Sequence, residues 1–186
     1  YTTLFRSALT TNQIAKLSTG QISSLSSDQI VALTTAQVQA LSSAQITALT
    51  SDQLNSMASD DLQSLTTSQI RVLTSDQVSA LSSDQLVALT TKQVQALGTD
   101  QITALTSDQL NSMASDDVQA LTTTQIKSLT SDQLGALTST QVSVMETRDI
   151  AALTSVQITS LSTDAISALT TDQVKALTAA ALNALT

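Results

Sequence analysis

The chain contains no Cys, His, Pro or Trp, and only one Phe, one Tyr and three Gly in 186 residues. Each absence removes a class of explanation. Without Cys there are neither disulfides nor thiolate metal sites. Without His or Cys the usual nucleophile–base pairs are unavailable, so no enzyme activity is expected. Without Pro, and with so little Gly, a β-rich fold has few residues for its tight turns. Ordinary domains of this length fill their cores with aromatic rings. Here the interior must come from Leu, Ile, Val and Ala, which suits a thin, repetitive core. Lys and Arg number seven against 15 Asp and Glu, a formal net charge of −8. No basic stripe exists for nucleic acid or an anionic membrane. No apolar run approaches the roughly 18 residues that span a bilayer, so membrane insertion is not expected. No signal peptide is visible. The opening Tyr1-Thr2-Thr3 lies close to the repeat and is expected to be a cut from a longer protein.

What the chain does have is a period. Leu or Met recurs every eighth residue from Leu9 to Leu185, with Met57, Met113 and Met145 as the only Met positions. A fixed short period marks an array of stacked units. Counted from the residue after the Leu, the consensus is [ST]-[ST]-x-Q-[ILV]-x-[AS]-L, as in Thr50-Ser51-Asp52-Gln53-Leu54-Asn55-Ser56-Met57. This reads as a helix start. Ser and Thr are favoured N-caps. A Gln three residues later completes a capping box, in which the hydroxyl and the Gln side chain each satisfy a free backbone amide. The structural capping residues singled out by this pattern are Thr50 with Gln53, Thr74 with Gln77, Ser82 with Gln85, Thr106 with Gln109, and Thr130 with Gln133. Asp often precedes the Gln (Asp52, Asp76, Asp84, Asp100, Asp108, Asp132), where a carboxylate complements the positive end of the helix dipole.

The apolar residues follow the cap. Leu54 and Met57, or Val78 and Leu81, are three apart and share a helical face. The residue after the Ile, Val or Leu varies freely (Asn55, Arg71, Val87, Gln95, Lys127, Gly135), as a solvent-facing position does. One long helix does not fit, because an eight-residue spacing slips about 80° per octad against 3.6 residues per turn. A single flat strand would put the Ile and Leu rows on opposite faces. A β-solenoid remains an alternative, as does a mostly disordered chain. The expected fold is all-α: a right- or left-handed superhelical solenoid of short two-turn helices, one per octad. Helices shorter than about 12 residues are marginal in water, so an octad must draw its stability from its neighbours.

A longer repeat overlies the octad. Residues 33–57 recur at 89–113, an offset of 56 residues or seven octads, so 33–88 and 89–144 read as a tandem duplication. A sharper reading is that seven octads make one superhelical turn. The expected organisation is a divergent end over 1–8, where Tyr1, Leu4 and Phe5 depart from the pattern, and a continuous octad solenoid over 9–186. Broken octads carry Ala58, Ala114, Gly98 or Glu146 at the cap, and Asp61, Asp117 or Asp149 in the Gln place. These steps are expected to be weaker. The last octad, from Thr178, continues the array and exposes an apolar face, which predicts end-to-end self-association or a missing continuation.

Other chemistry is thin. Asp60/Asp61 and Asp116/Asp117 are the only candidates for calcium, which takes six to eight oxygens, and a helix start carrying two acids explains them. No EF-hand or Gly-rich calcium pattern is present, so no metal or cofactor is expected. Gln13, Gln21, Gln29 and their successors form a polar row open to a ligand, although capping accounts for it better. Ice binding needs a flat Thr array, and here the paired Thr are absorbed in caps. No N-glycosylation sequon occurs, whereas O-glycosylation of exposed Ser and Thr stays open.

The octad Ala32-Leu33-Thr34-Thr35-Ala36-Gln37-Val38-Gln39 resembles the octapeptide arrays of large bacterial secreted or surface proteins of the RTX/adhesin sort. The resemblance covers nearly the whole chain. It implies an extracellular or cell-surface location and a spacer or stalk role, and it assigns no functional residue. The Gly-Asp-rich calcium nonapeptides of RTX repeats are absent. The first functional expectation is therefore a structural array whose partners are neighbouring repeats or the ends of other copies. The second is a protein- or glycan-binding module using the variable row of Arg71, Gln95, Lys127 and Lys175. An engineered idealised repeat is a third, against which the drifting consensus argues.

Overall fold

The computed structural model describes residues 9–185. The chain divides into two units, Tyr1–Leu97 and Gly98–Thr186. Both are built the same way. The described residues form 22 short helices and no strand. The all-α solenoid is thus observed, and the β-solenoid is set aside. The divergent segment 1–8 lies outside the described residues.

Every helix begins one residue after the octad's first position and runs five or six residues, as in Ser51–Ser56 and Thr67–Arg71. That is about one and a half turns, shorter than the expected two. The octad ends too soon for more: its Leu must leave the helix so that the next Ser or Thr can adopt extended N-cap geometry. Leu49, for example, has φ −60° and ψ 136°, and Thr50 follows at φ −72° and ψ 157°. The break at each cap needs neither Gly nor Pro. No residue among those described has a positive φ or a cis peptide bond.

Within each unit, helices three octads apart pack on one another. Ser27–Val31 meets Ser51–Ser56 in the first unit, and Ser115–Ala120 meets Ser139–Val144 in the second. Hydrogen bonds described below also reach four octads back, so one superhelical turn takes between three and four octads. Seven octads therefore make about two turns, and the reading of seven per turn is corrected. The geometry gives the 56-residue repeat another meaning. With neighbours at three and four octads, a seven-octad duplication gives each octad type the same pair of types above and below it.

The core is two parallel rows. Ile46, Leu54, Ile70, Val78, Ile102 and Ile126 are fully buried, and the Leu row beside them is nearly so. A chain without large rings closes a core because each octad contributes two large apolar side chains, Ile, Val or Leu in one row and Leu or Met in the other. The variable positions Arg71, Gln95, Lys127 and Lys175 are exposed.

Candidate functional site

The polar centre of the octad is its Gln. Thr74 Oγ1 accepts from the Gln77 backbone N–H at 3.1 Å, and Gln77 Oε1 accepts from the Thr74 N–H at 2.8 Å. That is the capping box read from the sequence. In the second unit, Thr106 Oγ1 accepts from the backbone N–H of Gln109 at 3.1 Å, and Oε1 of Gln109 accepts from the Thr106 N–H at 2.8 Å. The same geometry joins Thr50 to Gln53, Ser82 to Gln85, and Thr130 to Gln133. It satisfies two of the donors that a helix N-terminus leaves free.

Burial closes the row to a ligand from Gln37 to Gln141, whereas Gln13 and Gln21 are exposed and Gln29 is half-buried. Gln109 is only 4% exposed, and Gln53, Gln77, Gln85 and Gln133 are equally enclosed. Two aliphatic rows lie beside them, so capping on Gln109 is an interior contact and not a surface one.

The other end of the amide does something the sequence reading missed. Gln77 Nε2 donates to the carbonyls of Ile46 at 2.9 Å and Leu49 at 2.7 Å, in the turn below. Gln53 reaches Ile22 and Leu25 in the same way, Gln85 reaches Leu54 and Met57, and Gln133 reaches Ile102 and Leu105. In each of these the residue steps are 31 and 28. The acceptors lie at the C-terminal end of a helix, where carbonyls run short of partners: that of Ile46 otherwise accepts only from the Leu49 backbone N–H, at 3.2 Å. One side chain thus closes the N-terminus of its own helix and the C-terminus of another. Both neighbours fix the amide's orientation, with oxygen toward N–H and nitrogen toward carbonyls. A polar side chain tolerates such burial only when its groups are paired.

A signal for this was present. A capping box accepts Glu as readily as Gln, and Glu suits the helix dipole better. Yet the chain has a single Glu, Glu146, and none in the Gln position. Only an amide has the second donor. A weaker ladder runs along the outer side: Thr47 Oγ1 donates to the Val72 carbonyl at 3.1 Å, and Gln39 Nε2 to that of Ser64 at 3.0 Å.

The broken octads show what the intact ones supply. Ala58, Ala114 and Glu146 make no side-chain cap bond. Gly98 has no side chain to offer, so only half its box remains: Gln101 Oε1 accepts from the Gly98 N–H at 2.7 Å. Asp149 stands in a Gln place and is 1% exposed. Its carboxylate accepts from Thr123 Oγ1 at 2.5 Å. Arg148 sits 3.8 Å away but pairs more closely with Glu146, at 2.8 Å. Burial pushes the Asp149 carboxyl above its ordinary range, against the lowering effects of Thr123 and Arg148. Of the paired acids, Asp60 and Asp116 are more open than Asp61 and Asp117, which are buried, so the members of each pair sit in different surroundings. Among the described residues no group of three or more His, Cys, Asp or Glu is placed to hold a metal ion.

Comparison with known families agrees with the octad. Six overlapping stretches, 7–35, 30–59, 55–91, 86–115, 110–147 and 142–179, match the ALTTAQ repeat. Ala32-Leu33-Thr34-Thr35-Ala36-Gln37 spells that motif letter for letter. Each matched stretch is at least as long as the 28-residue step from a Gln to the Leu carbonyl it reaches. No curated protein matches the chain. The chain belongs to the ALTTAQ repeat family.

Proposed function

We propose that this ALTTAQ-repeat array is a non-enzymatic structural element, a spacer or compliant connector within a larger secreted or surface protein. The observation that carries the reading is the Gln ladder. The octad's most buried polar side chain is engaged in holding turn to turn, and the hydroxyl before it in capping its own helix. What faces outward is a row that changes from octad to octad, with Arg71 and Lys127 exposed and Lys175 paired with Asp172 at 3.7 Å. An array held by nearest-turn bonds has a stability that is approximately a sum of local terms. Such a chain gives way a turn at a time instead of all at once. The resemblance to bacterial surface arrays supports the location.

The test is to pull the chain by its two ends in an optical trap. A connector of this kind lengthens in small, reversible steps of about one turn, each close to the Gln-to-carbonyl step. A single large rip followed by slow refolding would sink the reading. For the location, an antibody against the repeat should label intact producing cells, and labelling only after lysis would remove the surface assignment.

A further inference from the structure

We infer that Asp149, with the carbonyls of Val118, Gln119 and Leu121, forms a binding site for a large monovalent cation of the potassium class. Intact octads of the same unit show what this place holds otherwise. Gln141 Nε2 lies 3.1 Å from the carbonyl oxygen of Leu110, 3.2 Å from that of Asn111 and 2.9 Å from that of Met113. Gln173 makes the same three contacts with Val142, Ser143 and Met145, at 2.9, 3.4 and 2.9 Å. Three carbonyls at the end of one helix thus converge on a single point, and an NH2 group occupies it.

The register runs unbroken through octad 146–153. Gln141 before it and Gln157 after it both reach 28 residues back, to Met113 and Leu129. Thr123, 26 residues before Asp149, donates to its carboxylate. The carboxylate therefore points at the turn where steps of 31, 30 and 28 residues place Val118, Gln119 and Leu121. Asp is one methylene shorter than Gln and has no NH2 group. No side chain among the described residues donates to those three carbonyls. Asp149 is 1% exposed, so a carboxylate and three carbonyls share a place closed to bulk water. Buried acceptors without a donor are costly, and a positive partner removes the cost.

The basic groups nearby are held outside. Arg148 is 65% exposed, pairs with Glu146 at 2.8 Å and stays 3.8 Å from Asp149. Lys127, on the packed helix Thr123–Ser128, is exposed. Lys175, on the packed helix Thr171–Ala176, pairs with Asp172 at 3.7 Å. Charge and size then select the ion. One carboxylate balances one positive charge. The carbonyls of the intact octads stand 2.9–3.4 Å from the amide nitrogen. Calcium takes its oxygens at about 2.3–2.6 Å and magnesium at about 2.0–2.1 Å, so both are too small for this spacing. A potassium-sized ion exchanges its hydration shell for carbonyl oxygens. The inference stands independently of the spacer reading.

Amide hydrogen exchange of the 186-residue chain, in potassium chloride against lithium chloride at equal ionic strength, tests it. Helices Ser115–Ala120 and Thr147–Ala151 should be better protected in potassium. The gain should be about tenfold when potassium stands at about ten times its dissociation constant. Helix Ser131–Ala136, closed by Thr130 and Gln133, is the internal standard and should not change. Asp149→Gln supplies the NH2 group and should abolish the potassium effect while the helices stay protected. Asp149→Asn, neutral at the same length, should abolish it too. Equal protection in the two salts overturns the inference. So does a potassium effect that survives in either variant, one that extends equally to the standard helix, or a larger response to calcium. Protection by acid alone, with nothing added by potassium, makes the place a proton site and also overturns it.

Discussion

Octad 74–81 and octad 146–153, one in each unit, solve the same problem differently. In the first, Thr74 caps the helix, and Gln77 joins it to the carbonyls of Ile46 and Leu49. In the second, Glu146 makes no cap bond, and Asp149 is a buried acid that takes a hydrogen bond from Thr123 instead of giving one. The backbone is nearly the same, yet the polar chemistry of the joint is inverted. The comparison teaches that the fold is set by the aliphatic rows and the break at each cap. The Gln determines how tightly one turn holds the next. A carboxylate can occupy the place without destroying the helix, at an electrostatic cost visible in its raised pKa.

The largest expected effect comes from making the intact octad resemble the broken one. Gln77→Glu keeps the acceptor for the Thr74 amide but sets a charge against two carbonyls. It should destabilise the chain by about 3–5 kcal/mol at neutral pH, the range for an uncompensated buried charge. Urea unfolding measures it, and acidification should recover part of the loss as the new carboxyl regains a donor. A loss no greater than that of a surface substitution would mean that the Nε2 bonds contribute little.

The converse change is smaller. Asp149→Gln removes a buried charge and restores a donor toward the turn below. It should stabilise by roughly 1–3 kcal/mol at neutral pH. The pH dependence has a definite sign. Because the folded pKa is raised, protonated Asp149 favours the fold. Its contribution is fully present below the ordinary 3.8 and is lost as pH rises through the raised value. The advantage of the Gln variant should therefore shrink as pH falls through that window, and a gap that widens in acid would contradict the burial argument.

A third change isolates the cap from the ladder. Thr74→Ala leaves Gln77 in place and removes only one hydroxyl, so a loss of about 0.5–2 kcal/mol is expected. The same change in three adjacent octads, at Thr66, Thr74 and Ser82, should cost the sum of such losses. No fall in melting temperature for the triple variant would count against the capping argument. The smallest effect belongs to an exposed Gln. Gln13→Glu alters an exposed Gln that caps but reaches no carbonyl among the described residues, and it should change stability by less than about 0.5 kcal/mol. If Gln13→Glu and Gln77→Glu cost the same, the distinction between an exposed and a buried Gln fails.

Much of this was legible in the residues. Strict eight-residue spacing, a hydroxyl followed by Gln, and two aliphatic residues three apart specify a capped helix and its buried face, and the structure has both. These are local signals, because each relates residues within one octad. The burial of Gln109 and its counterparts was not read, because a capping side chain at an isolated helix start is ordinarily wet. Nor was the second role of Gln, although its trace lay in the uniform use of Gln where Glu would cap equally well. The misjudged number of octads per turn has the same origin: the curvature follows from how aliphatic rows pack between turns, and no residue within an octad encodes it.

The sequence by itself determined where each helix starts, which face it buries and where the chain breaks, since a cap and a 3.6-residue period act over a few residues. The tertiary structure alone decided that Gln53 meets Leu25 and that Gln77 meets Leu49. Those pairs lie 28 residues apart. Only the stacking of successive turns brings the free carbonyls of one helix within hydrogen-bonding distance of the amide that closes another.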